Sequence, residues 1–271
     1  MSHRLRALLQ EDRPLIMGIL NLTPDSFSDG KPSYPLSLRL LQAEELVEQG
    51  ADIIDIGGES TRPQADAVSL EEERQRVLPF LQAFRNRHPE VCLSLDTKKP
   101  ALAKEALAHD IDIINDVGFF SDPGFLALVQ NHDVHYVLMH SRGDSQSMMN
   151  LCDYGGDVVA GVRAEFQNKL AQMQAQGFPF EKLILDLGFG FAKTAEQNIQ
   201  LTEDLSPWAQ EFSFPWLYAI SRKRFLQSLG GGEKAEDRDE ISAKLAAKAL
   251  GQGFKIVRTH NPELTRQHLG L

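Results

Sequence analysis

The polar and ionisable residues of this chain collect where short apolar runs end. Asn21 follows the run 15–20, and Gly57-Gly58-Glu59-Ser60-Thr61-Arg62 closes and follows 52–57. Asp96-Thr97 follows 91–95, Asn115-Asp116 closes 111–115, and His140 follows 134–139. Asp186 lies within 183–187, Ser221-Arg222-Lys223 follows 216–220, and Arg258 with His260 closes 255–258. Two chemistries separate within this set. Lys193, Arg222, Lys223, Arg258 and His260, with Arg62 from an earlier loop, are cations in an acidic chain, and their convergence suits an anion such as a phosphate or pyrophosphate. Asp96, Asn115 and Asp186 are acceptors suited to a flat heterocycle that presents paired N–H donors. Each has a plainer reading alone: Asp96-Thr97 as a helix cap, His140 as a satisfied core histidine, Gly188-Phe189-Gly190-Phe191 as a tight turn rather than close backbone approach to a flat ligand. Eight coincident run ends favour a shared site.

The secondary structure that carries these residues is visible in the same pattern. Most of the eight runs are nearly continuous in apolar residues, as strands buried on both faces of a parallel sheet are. Amphipathic stretches over 36–49, 70–87, 100–109, 157–176 and 239–252 predict helices between them. Gly50, Gly177 and Gly253 each follow a helical pattern and precede a strand, the place of a left-handed C-cap. Eight βα units in roughly 250 residues predict an α/β fold with one (β/α)8 barrel, a TIM barrel, as a single domain over 1–271. A doubly wound open sheet is the alternative, but it wants a Gly-rich turn after the first strand, and this chain has Asn21-Leu22-Thr23-Pro24 there. Barrel enzymes build their sites at the C-terminal mouth, where these residues stand. Gly230-Gly231-Gly232 and the charged run 233–240 read as an exposed, solvated connection.

Composition bounds the function classes. With 42% apolar and 24% charged residues in 271, the chain suits one large domain with its own core. The two cysteines, Cys92 and Cys152, exclude a disulfide framework or a zinc cluster; Cys92, inside an apolar run, is expected as a buried, reduced thiol in a cytoplasmic setting. Met1-Ser2-His3-Arg4-Leu5-Arg6 lacks a secretory core, and no stretch reaches the ~20 apolar residues that span a bilayer, so no membrane is expected. A net charge of -10 opposes non-specific nucleic-acid binding.

Two segments are long and specific: Ile19-Leu20-Asn21-Leu22-Thr23-Pro24-Asp25-Ser26-Phe27-Ser28-Asp29-Gly30 and Gly57-Gly58-Glu59-Ser60-Thr61-Arg62-Pro63. With Leu95-Asp96-Thr97, Ile113-Ile114-Asn115-Asp116-Val117, Met139-His140, Asp186 through Lys193, Ile220-Ser221-Arg222-Lys223 and Arg258-Thr259-His260, the chain resembles the dihydropteroate synthases over roughly residues 14–268. The resemblance implies condensation of 6-hydroxymethyl-7,8-dihydropterin pyrophosphate with p-aminobenzoate, giving 7,8-dihydropteroate and pyrophosphate in folate biosynthesis. It implies a pterin held by Asp96, Asn115, Asp186 and Lys223 between Met139 and Phe191, with Arg258 on the ring and facing the phosphates. It implies Mg²⁺ and pyrophosphate at Asn21, helped by Thr61, Arg62 and His260, and a p-aminobenzoate site bordered by Phe27, Pro63 and Ser221. Asp96, Lys223, Arg258 and His260 are the implied catalytic group. Pyrophosphate leaves first, a pterin methylene cation remains, and the aromatic amine attacks it. The family also implies a homodimer.

Several positions depart from the family pattern: Arg224 where a small serine is usual, Leu187 for a proline, Ala192 for a glycine, Asn261 for an aspartate, and His140-Ser141-Arg142-Gly143. Arg224 would clamp or block the acceptor site, and Ala192 would be strained if its loop needs φ > 0. Two alternatives therefore stand: a pterin-binding paralogue with an altered acceptor, and a pterin-binding methyltransferase module, which would need neither the Ser-Arg-Lys loop nor the cation cluster. A metal-dependent hydrolase would want a His-x-His pair ending the first strand, which is absent.

Overall fold

All eight apolar runs become parallel strands in the computed structural model, which describes residues 4–23, 35–60 and 64–271. They are β1 (Leu15–Asn21), β2 (Ile53–Gly57), β3 (Cys92–Asp96), β4 (Ile113–Asp116), β5 (His135–Met139), β6 (Leu183–Asp186), β7 (Trp216–Tyr218) and β8 (Ile256–Thr259). They pair in sequence order, and β8 closes on β1, so the sheet is a barrel rather than the open doubly wound alternative.

Side chains alternate sides along a strand, and here both sides are filled. Ile54, Ile56, Leu93, Leu95, Ile114, Tyr136, Leu138, Leu185 and Trp216 belong to the large cluster between sheet and helices. The opposite phase, Leu15, Met17, Ile53, Cys92, Ile113, Val137, Ile184, Leu217 and Ile256, packs inside the barrel as a second cluster. Continuous apolar runs follow directly from this two-sided burial. Cys92 lies in the inner cluster as a free, buried thiol.

Ten α-helices stand among the described residues. α1 (Arg4–Gln10) closes the N-terminal end of the barrel, with Leu5 fully buried in the inner cluster. Its burial is worth ~2 kcal/mol, and Arg4 ties the helix to the buried Asp112 at 2.9 Å. The outer ring holds α2 (Leu36–Glu48), α3 (Leu70–Arg87), α4 (Pro100–Ala106), α5 (Gly124–Asn131), α6 (Val158–Ala175), α7 (Ala195–Glu203), α8 (Ser206–Glu211), α9 (Asp239–Gly251) and α10 (Pro262–Leu269). The helix expected over 100–109 ends as a 3-10 turn from Leu107. Gly50, Gly177 and Gly253 carry φ of +91°, +74° and +98°, as their turns require.

The five helices that amphipathic pattern alone did not reveal are short. Two nonetheless announce themselves by caps: Thr194 and Gln197 form a reciprocal capping box on α7, and Asn261 caps α10 with Pro262 at its first turn. The charged run 233–240 is not simply solvated. Arg238 is buried, donating to the Gly232 and Arg222 carbonyls at 3.0 Å, because the turn after β7 needs a donor for both. No helix among the described residues is long and apolar enough to cross a membrane.

Candidate active site

The inner-facing phase of most strands changes from apolar to polar toward the C-terminal mouth, while β5 and β7 stay apolar there with Met139 and Ala219. Two residues beyond Ile53 comes Asp55, beyond Cys92 Ser94 and then Asp96, beyond Ile113 Asn115, beyond Val137 Met139, beyond Ile184 Asp186, and beyond Ile256 Arg258. Strand register sets Asn21, Gly57, Asp96 and Asn115 side by side across β1 to β4, and Met139 beside Asp186 across β5 and β6. The mouth thus has a continuous polar floor with a thioether wall.

Arg258 organises that floor. Its Nε donates to Asp55 Oδ2 at 2.6 Å and its Nη2 to Asp96 Oδ2 at 3.0 Å, while Asn115 Nδ2 donates to the same Asp55 oxygen at 3.2 Å. Asp55 is fully buried and was not singled out from the sequence. Its signal was present: one carboxylate in the middle of an apolar strand, on the inward phase. Asp55 Oδ1, Asn115 Oδ1 and Ser94 Oγ are buried without a hydrogen-bond partner. The floor is therefore rich in acceptors and short of donors, the complement of a ligand edge that carries N–H groups.

Charge reinforces this. Burial pushes Asp96 up to about 7; Arg258 opposes the shift, and the nearby Asp55, Glu73 and Asp116 add to it. Burial likewise raises Asp186, against Lys223 and the Gly188 N–H that Asp186 Oδ1 accepts at 2.8 Å. Burial lowers Lys223 to about 8, with Asp186 holding it up and Arg258 pressing it down. Burial works against the Arg258 cation too, but Asp55 and Asp96 outweigh it and raise its pKa. Burying charges of both signs together permits this arrangement, since an unpaired one costs several kcal/mol.

The loop after β6 bends over this floor. Lys223 donates to the Phe189 carbonyl and lies 4.8 Å from the centre of the Phe191 ring. Gly188, at φ +64°, is required by packing: a Cβ there would stand 1.8 Å from the His140 carbonyl oxygen. The close approach made possible is thus to the protein's own backbone and not, at Gly188, to a ligand. Ala192 does occupy the left-handed region, at φ +47°, and is fully buried, so the expected strain is present. Leu187 is buried against the outer core.

At the rim, the His260 backbone N–H donates to Ser221 Oγ at 3.1 Å, and the same oxygen lies 2.9 Å from His260 Nδ1. Two contacts to one hydroxyl thus fix the orientation of the His260 ring beside Ser221.

The cation set expected from sequence does not converge as a whole. Arg222 turns outward and grips Asp239 on α9 through two nitrogens, at 2.7 and 2.8 Å. Lys193 is buried beneath the β6 loop. Sequence position shows that a side chain follows a strand, but its direction is set by backbone φ, +61° at Arg222. His140, also in the strand-end set, is fully buried and bonded to Lys193 and Glu165, the satisfied core histidine of its plainer reading. Of the Asp96-Thr97 pair, Thr97 Oγ1 accepts the Lys99 N–H, leaving Asp96 to the floor. Asp116, on the outward phase, accepts from Gly118, Phe120 and Tyr136. Arg224 is exposed at the start of a 3-10 turn. Asn261 caps α10 and donates to Asp239 at 3.3 Å, where an aspartate would face a like charge. Phe27, Thr61, Arg62 and Pro63 lie outside the described residues. Among the described residues no three His, Cys, Asp or Glu side chains group as a metal site; Asn21 offers one exposed amide at the end of β1.

Comparison with known proteins agrees with the geometry. Residues 17–260 match the family model described as pterin binding enzyme. A dihydropteroate synthase of Synechocystis sp. is 41% identical over 256 residues, covering 94% of this chain and 88% of the relative. The Xanthomonas albilineans dihydropteroate synthase with 4-aminobenzoic acid superposes with a TM-score of 0.87 at 37% identity, covering 96% of this chain and 92% of that one. The same organism's enzyme in complex with 7,8-dihydropteroate gives 0.83 at 34% identity, covering 96% and 92%.

Proposed function

The chain belongs to the dihydropteroate synthases among the pterin-binding enzymes, a family of transferases, and from that premise we propose how its barrel mouth performs the reaction. The reaction joins 6-hydroxymethyl-7,8-dihydropterin pyrophosphate to p-aminobenzoate, releasing pyrophosphate. The observation that carries the assignment of parts is the acceptor-rich floor of Asp55, Asp96, Asn115 and Asp186 beneath Arg258 and Lys223.

The pterin's N–H edge donates to Asp96, Asn115 and Asp186, with Met139 and Phe191 as its walls. Arg258, already between Asp55 and Asp96, lies along the ring and faces the phosphates, and Lys223 exchanges the Phe189 carbonyl for a ring acceptor. His260, oriented by Ser221, presents an imidazole N–H toward the leaving group. The methylene C–O bond then breaks with both electrons going to pyrophosphate. The carboxylates below stabilise the charge left on the ring. The amine nitrogen of p-aminobenzoate forms the new C–N bond and afterwards loses its proton. No residue is bonded to the substrate at any stage. Thr61 and Arg62 on the phosphates, and Phe27, Pro63 and Ser221 around p-aminobenzoate, complete the reading.

Mg²⁺ is part of the same reading. A single exposed amide oxygen at Asn21 suits a hard ion that keeps its waters and takes most of its remaining ligands from substrate phosphates. When bound it would supply neutralisation of the leaving pyrophosphate. We also place the protein in the cytoplasm, in keeping with its two free thiols, and as a homodimer, on family grounds.

The test is to supply both substrates with Mg²⁺ and follow dihydropteroate and pyrophosphate separately, with Asp96→Ala as control. The wild type should make both products in equal amounts and the variant neither. A chelator should stop turnover while leaving binding of the pyrophosphate-free pterin intact. Pyrophosphate without dihydropteroate would instead mean a different acceptor. The exposed Arg224 gives no geometric reason to prefer that outcome.

A further inference from the structure

The loop after β6 is gripped by two lysines from opposite sides, and the reaction uses only one of them. Lys223 holds the Phe189 carbonyl from the mouth. From beneath, Lys193 Nζ donates to the Gly188 carbonyl at 3.0 Å and the Phe191 carbonyl at 3.1 Å, and lies 2.9 Å from His140 Nδ1. An ammonium has three donors and no acceptor, so all three are used. Lys193 is only 2% exposed.

The support behind it is continuous. With Nδ1 accepting from Lys193, the His140 proton sits on Nε2, which donates to Glu165 Oε2 at 2.9 Å. The other Glu165 oxygen accepts from Arg142 Nε at 2.9 Å. The Arg142 guanidinium lies over the Tyr154 ring at 3.7 Å, and the Tyr154 hydroxyl donates to the Ala192 carbonyl at 3.1 Å. The network therefore starts and ends on the same loop, securing the carbonyls of Gly188, Phe191 and Ala192. That loop holds three left-handed residues, Gly188, Gly190 and Ala192, and a backbone bent this way needs such external partners to persist.

We propose that Lys193 is a positioning residue for the pterin half of the site. By fixing the carbonyls of Gly188 and Phe191 it holds the β6 loop and the Phe191 ring in place beside Lys223, and so sets the geometry in which Phe191, Lys223 and Asp186 meet the pterin. The proposal rests on the pterin reading above. Lys193 itself touches no substrate, and among the described residues Ser221, on the p-aminobenzoate side, bonds to His260 and not to Lys193.

Steady-state kinetics on Lys193→Met and Glu165→Gln, varying each substrate in turn, test this, together with calorimetric binding of the dihydropterin pyrophosphate alone. Lys193→Met should raise the KM for the pterin substrate about tenfold, the scale of a small misplacement of binding groups, and leave the KM for p-aminobenzoate within about twofold. Glu165→Gln, which keeps a hydrogen bond to His140 but removes the charge behind it, should move the pterin KM the same way by about threefold. If Lys193→Met does not fold, Glu165→Gln decides. An unchanged pterin KM and affinity overturns the proposal, and so does an equal rise in both KM values, which would mark a merely structural role. Should the wild type form no dihydropteroate, it is the functional reading that has failed. The calorimetric affinities of the variants then still decide whether Lys193 positions the pterin.

Discussion

Replacing Asp55 by alanine should destabilise the fold by way of Arg258, and the effect should change sign when Arg258 is removed. Asp55 is fully buried and accepts from Arg258 Nε at 2.6 Å. Breaking a buried pair by removing one partner costs about 3–5 kcal/mol, because the remaining charge is uncompensated. Arg258 keeps Asp96 at 3.0 Å, so Asp55→Ala should fall at the low end, about 3 kcal/mol. In a chain of 271 residues that is a drop in Tm of about 6 °C. In an Arg258→Met background the position is reversed. The Asp55 carboxylate is then buried with only Asn115 to support it, and its removal should be neutral or stabilising. The assay is urea and thermal unfolding of the wild type, both single variants and the double variant. The small cavity left by the alanine is common to both backgrounds and cancels in the cycle, leaving the coupling between the charges. A cost for Asp55→Ala that is the same within about 0.5 kcal/mol in both backgrounds would show that the two charges are not coupled. It would mean that the carboxylate serves packing or the Asn115 bond, and not the cation.

Two further outcomes follow from the same site. Ala192 sits at φ +47° without contact to solvent, so Ala192→Gly should gain about 1 kcal/mol in chemical denaturation; a loss would show that the Cβ packs usefully in spite of the strain. Asp96 is held up to about 7 by burial among other carboxylates, with Arg258 opposing. Its folded pKa thus lies above its unfolded value of 3.8, so the folded state binds the proton more tightly. The stability this gives is complete below pH 3.8 and is lost as pH rises to about 7. Unfolding free energies of the wild type and Asp96→Asn across that window should differ in slope, with the wild type falling more steeply; parallel curves would remove the shift.

Local pattern along the chain carries the barrel and places most of the polar residues at its mouth. Eight apolar runs can be buried on both faces only if helices cover one side and the opposite strand phase fills the other, and that requirement also decided which residues at the run ends face inward. Asp96, Asn115, Asp186 and Arg258 are legible because they stand at run ends, which a barrel gathers at its C-terminal mouth, whereas Met139 enters only through the family resemblance. Gly50, Gly177 and Gly253 were legible because only a residue tolerant of positive φ ends a helix that way. Asp55 follows the same strand phase but in local sequence is only one polar residue in an apolar run; its importance comes from Arg258, which is 203 positions away. Beyond the strands no period holds, and side-chain direction is settled by the folded chain. The left-handed turn at Arg222 sends that cation to Asp239, while the next residue, Lys223, points back over the site. Lys193, seven residues after the end of strand β6, folds under its own loop to meet His140, which follows β5, and, through it, Glu165 from α6. In loops, direction depends on single φ values and on partners far along the chain, and neither is written in local sequence.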